Sequence, residues 1–123
     1  MPQPAPEIEE LVRDWLAAKQ GAQRDAIARC LSSYDGALAI GTDADEWWSG
    51  GDFGAAHLSG GPFEAVLDSV EAHRQGDVAW AGVRGVISTG RPEGFPVRLS
   101  LVLVLDDRAW RIVQSHASTP ARD

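Results

Sequence analysis

Apolar residues recur along this chain with two different periods, and the change between them divides it. Ile8, Leu11, Val12, Trp15 and Leu16 step by three and four, which gathers them on one face of an α-helix. Pro6 suits the first helical turn, Glu7, Glu9 and Glu10 suit the positive end of the helix dipole, and Gly21 marks a stop. Ahead of this helix, Pro2, Pro4 and Pro6 make residues 1–6 an extended leader. A second, shorter helix is predicted with Ile27, Cys30, Leu31 and Tyr34 on one face.

From Asp35 the pattern changes. Gly36–Ile40 reads as a short strand. Asp43, with Glu46 three residues later, has the form of a capping box and predicts a helical turn carrying Trp47 and Trp48. Gly50, Gly51, Gly54, Gly60 and Gly61 then lower helix propensity. Any helix near residues 52–58 is therefore expected to be short and frayed, and 50–61 to be the most mobile segment.

The last half is strand. Phe63–Arg74, Val78–Thr89, Phe95–Leu105 and Trp110–Ser118 are divided by Gln75-Gly76-Asp77, Arg91-Pro92-Glu93-Gly94 and Asp106-Asp107-Arg108. Each break carries turn chemistry and is short enough for a hairpin, so a four-stranded antiparallel meander is expected, with one early strand beside it. In Phe95–Leu105 one face is wholly apolar: Val97, Leu99, Leu101, Leu103 and Leu105. Its other face, Arg98, Ser100, Val102 and Val104, is half apolar. In the strand before it Ala79, Ala81, Val83 and Ile87 share one face, and Trp80, Arg84 and Val86 the other. Two substantially apolar faces mean that both sides of the sheet are covered. Helices in so short a chain can cover one; a second copy is the economical cover for the other, and a homodimer is expected. The fold class is α+β: N-terminal helices packed on a curved antiparallel sheet.

Composition narrows the partners. With 123 residues the chain fits one domain, and 44% hydrophobic with 24% charged residues is a globular mix. The net charge is −7, from 18 acids against 11 bases that form no cluster. Nucleic acid is not an expected partner, since phosphates need a positive field, and anionic membranes are disfavoured on the same ground. Cys30 is alone, so no internal disulfide forms, in keeping with a reducing, cytoplasmic setting. No basic start with an apolar run marks a secretion signal, and no apolar run has the length of a membrane span. No His, Asp and Glu cluster has zinc-ligand spacing, and no phosphate loop or nucleophile elbow is present, so neither metal nor cofactor is expected.

The element order resembles the nuclear transport factor two-like superfamily, in its SnoaL-like branch. Ile40-Gly41-Thr42-Asp43-Ala44-Asp45-Glu46-Trp47-Trp48-Ser49-Gly50 is similar to that branch's stretch after the first strand. Trp110-Arg111-Ile112-Val113-Gln114-Ser115-His116-Ala117-Ser118 is similar to its closing strand, and Gly76-Asp77-Val78-Ala79-Trp80-Ala81 is a weaker third likeness. The resemblance spans residues 7–118, leaving 119–123 as a tail. It implies a cone-shaped domain with a pocket at the wide end and frequent dimerisation through the outer sheet face. It does not imply one activity, because its members include isomerases, cyclases, dehydratases, binders and association domains.

Candidate chemistry follows from the predicted faces. Alternation puts Trp110, Ile112, Gln114 and His116 on one side of the last strand, and His116 there is a candidate general acid or base. The competing reading is a solvated strand-end histidine. Arg84 shares its face with Trp80 and is expected beside Leu99 and Leu101. A guanidinium among apolar neighbours needs an anion, either a ligand carboxylate or an internal acid such as Asp35 or Glu71. Trp15 and Tyr34 sit on apolar helical faces and have polar tips for a cavity. Trp47 and Trp48 diverge on a helical turn, so at most one faces the pocket; Trp47 is placed in the expected lining, with the choice between the two open. The expected lining is thus Trp15, Tyr34, Trp47, Trp80, Arg84, Trp110, Gln114 and His116. Three functions stay open: a small-molecule binder, an isomerase-, dehydratase- or cyclase-type enzyme acting on a hydrophobic organic acid, and a dimerisation module.

Overall fold

The computed structural model describes residues 1–88 and 94–120. A helix α1 (Pro6–Gln20) starts at Pro6, ends before Gly21 and buries Ile8, Val12, Trp15 and Ala18. The predicted stripe is therefore the buried one. A short helix α2 (Arg24–Arg29) buries Ile27 and stops at Cys30. It does not extend to Tyr34: Leu31 forms an isolated bridge with Ile112 instead, and Tyr34 is exposed. Six residues of helix cannot carry a stripe that long.

The leader adds a two-residue strand, β1 (Gln3–Pro4), which pairs with His73 and Arg74. Next come β2 (Leu38–Ile40) and β3 (Trp47–Ser49), an antiparallel pair, with Ala39 opposite Trp48. Here the expected helical turn gives way to a strand. The carboxylate of Glu46 does accept the Asp43 N–H at 2.8 Å, as in a capping box. Beyond that turn the chain pairs with β2, and its ladder replaces the helix the box announced. The glycine-rich segment then forms α3 (Gly51–Leu58), which buries Phe53 and His57 four residues apart on one face.

The long strands are β4 (Glu64–Gln75), β5 (Val78–Ser88), β6 (Phe95–Asp106) and β7 (Ala109–Ser118). They form an antiparallel meander within a seven-stranded sheet ordered β1-β4-β5-β6-β7-β2-β3, in which β2 runs parallel to β7. Gly76 turns β4 into β5 with φ 59°, and Asp107 and Arg108, both with positive φ, turn β6 into β7. The predicted turn at residues 91–94 lies largely outside the described residues.

Two irregularities shape the sheet. The β4–β5 register shifts between Leu67 and Ser69, and the β6–β7 register shifts where Leu103 pairs with Ile112 and Val102 with Gln114. An extra residue in one strand bends it and changes which side chains share a face. Gly85 sits beside the first bulge, where a Cβ would lie 2.7 Å from the Val66 carbonyl oxygen. The core lies on the inner side of the sheet under α1, where Ala79, Ala81, Leu101, Leu103 and Ile112 pack with Ile8, Val12 and Trp15. Among the described residues no helix is long and apolar enough to cross a membrane.

Candidate functional site

Between the inner sheet face, the end of α1 and α3 lies a cavity of about 290 Å³. Leu67, Val83, Val97, Leu99 and Ala117 supply its sheet side, and Trp15, Leu16 and Trp48 close it from the helical and β3 side. This wall follows from register. Val83 pairs with Leu99, which pairs with Ala117, so three strands present apolar side chains at one level.

Four polar side chains break the apolar lining, and three of them form one hydrogen-bonded line. Lys19 extends from the last turn of α1, His57 from α3 and Ser115 from β7. His57 and Ser115 are buried. Lys19 Nζ stands 2.8 Å from His57 Nδ1, and His57 Nε2 stands 3.0 Å from Ser115 Oγ. The imidazole is held edge-on by Trp15 at 5.2 Å and Phe53 at 5.1 Å between ring centroids. Lys19 Nζ lies 4.7 Å from the centre of the Trp15 ring. Gln20, also on the wall, is engaged through its side-chain oxygen, which accepts the Ala65 N–H.

Burial governs the charge of this chain. It pushes the His57 imidazole down to about 3, an effect the adjacent Lys19 charge reinforces. It also lowers the Lys19 ammonium to about 8. His57 is therefore neutral at physiological pH. An ammonium can only donate, so charged Lys19 donates to Nδ1 and the ring proton sits on Nε2, which donates to Ser115 Oγ. The Ser115 hydroxyl hydrogen is then left for another acceptor. The result is a line of donors on an apolar wall, suited to an oxygen acceptor or an acid group on a compact ligand.

Of the eight residues expected to line the pocket, Trp15 does so. Trp47 is 63% exposed, whereas Trp48 lines the cavity, because the two alternate on a strand rather than diverge on a helix. Trp110 lies on the inner face but away from the cavity, beneath the Arg74 guanidinium at 5.1 Å. Trp80 stacks on His73 at the outer face. Arg84 pairs across the strands with Arg98, not with Leu99 or Leu101, and its Nε donates to Ser69 Oγ at 3.4 Å. It is exposed, so the burial cost that demanded an anion does not arise. The inner face of β5 is the one carrying Ala79, Ala81 and Val83.

His116 and Gln114 are displaced by the β7 bulge. Ile112 is buried on the inner face, but past the shift Ser115 and Ala117 point inward. Gln114 and His116 are exposed, and His116 pairs with Ser100 outside the cavity. Tyr34 and Gln114 both line a separate open depression, with Val104 and Asp106.

Lys19, His57 and Ser115 were not singled out by the sequence reading. A signal existed for the first two. Lys19 lies four residues after Trp15, on the extension of the buried stripe Ile8, Val12, Trp15, and it is the only lysine in the chain. His57 follows Phe53 by one helical turn. Ser115 carried no signal, because an unforeseen bulge turned it inward.

Residues 8–122 match the SnoaL-like domain family, and the chain belongs to it. No curated protein matches it. A solved NTF2-like protein of unknown function from Pseudomonas putida is similar at 19% identity and a TM-score of 0.80, over 94% of this chain and 86% of that one. A cystatin-like fold protein from Burkholderia xenovorans is similar at 19% identity and a TM-score of 0.77, with both chains covered at 100%. The association domain of C. elegans CaMKII is similar at 16% identity and a TM-score of 0.74, over 92% of this chain and 93% of that one. At such identities the likeness is one of fold, a curved sheet backed by helices.

Proposed function

We propose that this SnoaL-like domain binds a compact, ring-bearing small molecule in the cavity, with an acid or carbonyl oxygen turned to Lys19 and Ser115. The observation that carries this reading is the hydrogen-bonded line Lys19–His57–Ser115 set into an otherwise apolar wall. Three polar groups there oppose burial, and a core of the same volume without them would be simpler to pack. Their donors match a ligand acceptor, while Trp15 and Trp48 offer flat apolar surface to a ring. Both indoles also report on occupancy. Titration with 2-naphthoate should change tryptophan fluorescence saturably, and Trp48→Ala should weaken binding about tenfold, or ~1.4 kcal/mol. A flat titration, or equal binding by Trp48→Ala and Ser115→Ala, would refute the reading.

A second reading concerns the outer sheet face and is compatible with the first. Val66, Val78 and Trp80 are exposed there, at 69%, 43% and 39% of their surface, with half-buried Val102 and Val104 on the neighbouring strand paired with Trp80 and Val78. We propose that this face joins a second copy of the chain in a homodimer. The fold likeness to an association domain favours it. Sedimentation of a Val102→Asp variant is the test.

A further inference from the structure

We infer that Lys19 is a covalent site, whose ε-amine forms a reversible imine with an apolar aldehyde or ketone held in the cavity. This rests on the binding role proposed above and assigns that cavity a ligand class.

Lys19 is the only lysine in the sequence, and every other cationic side chain apart from histidine is arginine. Arginine serves as a surface cation but keeps its proton under all physiological conditions. The chain thus has one side-chain amine that can act as a nucleophile, and it lines the cavity.

Among the described residues, no carboxylate lies within ion-pairing distance of Lys19. The groups that touch it are the Trp15 ring and the His57 imidazole, and the imidazole is neutral at physiological pH. Nothing anionic holds the ammonium form, and desolvation works against it. With its ordinary value lowered to about 8, about a tenth of Lys19 is free amine at pH 7. A neutral amine can donate one N–H to His57 Nδ1 and keep its lone pair available. His57 in turn is fixed by Phe53, Trp15 and Ser115, so it acts as a positioning residue for the nitrogen.

The step is balanced without an outside oxidant or reductant. The Nζ lone pair adds to the carbonyl carbon, the π pair moves to oxygen, and one N–H hydrogen passes to that oxygen. The carbon–oxygen bond of the carbinolamine then breaks as the C=N bond forms. The oxygen departs as water, carrying the second N–H hydrogen. Hydrolysis is the reverse, and the apolar wall that admits the ring also limits the water available for it.

The test treats the full chain with 2-naphthaldehyde, reduces with sodium borohydride and maps the adduct by peptide mass. Binding of 2-naphthoate, which has the same ring and no reactive carbonyl, is measured in parallel. One equivalent should be trapped on the peptide containing Lys19, with at least tenfold less in Lys19→Arg. Trapping against pH should be half-maximal near 8 rather than at the ordinary lysine value of 10.5. If 2-naphthoate binds while no adduct maps to Lys19, or the α-amine alone is labelled, the imine is overturned and the binding role stands. If neither compound binds, both fall. Mapping on the unmutated chain decides the matter even if Lys19→Arg folds poorly.

Discussion

His57 and His116 stand on opposite sides of the same strand, and nearly everything about them differs. His57 reaches β7 from α3, bonds to Ser115 and is buried between two aromatic rings. His116, the next residue along β7, is exposed and faces Ser100. The same contrast holds for cations. Lys19 is set in the cavity wall without a carboxylate partner among the described residues, while Arg84 lies on the outer face beside Ser69. Chemical type is shared between the two faces, but environment is not. Lys19 and His57 acquire their unusual behaviour from burial, which the inner face provides and the outer face around Arg84 and His116 does not.

The contrast is open to attack, first through stability. Leu101 is 1% exposed on the inner face, and Leu101→Ala should cost about 2–5 kcal/mol, read as a drop in the urea midpoint. Arg84→Ala on the outer face should stay within about 0.5 kcal/mol. Equal losses would mean that the two faces are not distinguished by burial.

The second test uses acid. His57 holds its proton less readily in the fold than in the unfolded chain, at about 3 against 6.5. Between those values the unfolded chain binds more protons, so stability falls as pH is lowered from 6.5 towards 3, by up to ~1.4 kcal/mol per pH unit from this one group. Lys19 acts in the same direction between about 8 and 10.5. In His57→Phe the stability profile between pH 4 and 6 should be flatter than in the unmutated chain. An unchanged slope would show that His57 is not held neutral.

The smallest effect on the fold, and the sharpest on assembly, is expected at Val102 in the outer face. Val102→Asp should keep the far-ultraviolet spectrum of the unmutated chain while its sedimentation shifts from dimer to monomer. If the unmutated chain already sediments as a monomer, the outer face is simply solvated.

How much of this was legible beforehand depended on the kind of pattern. The α1 stripe, the turn at Gly76, the four long strands and the apolar row of β6 rest on local rules of propensity and periodicity, and they could be read residue by residue. Trp15 followed from its place on that stripe. Asp43 and Glu46 were also read correctly as a local interaction, yet the following residues obeyed a ladder with β2 that lies outside any local window.

The residues from Ile112 to Ser118 state the division most clearly. Sequence alone determined that they form the closing strand, because alternation and turn chemistry are properties of neighbours in the chain. It could not determine which of Gln114, Ser115 and His116 looks inward. That was decided by a single bulge against β6, a register choice made between strands, and one extra residue exchanges the faces for all that follow. The same holds for the cavity's chemistry. Lys19, His57 and Ser115 are separated by 38 and 58 residues, and their hydrogen bonds exist only because α1, α3 and β7 converge on one apolar space.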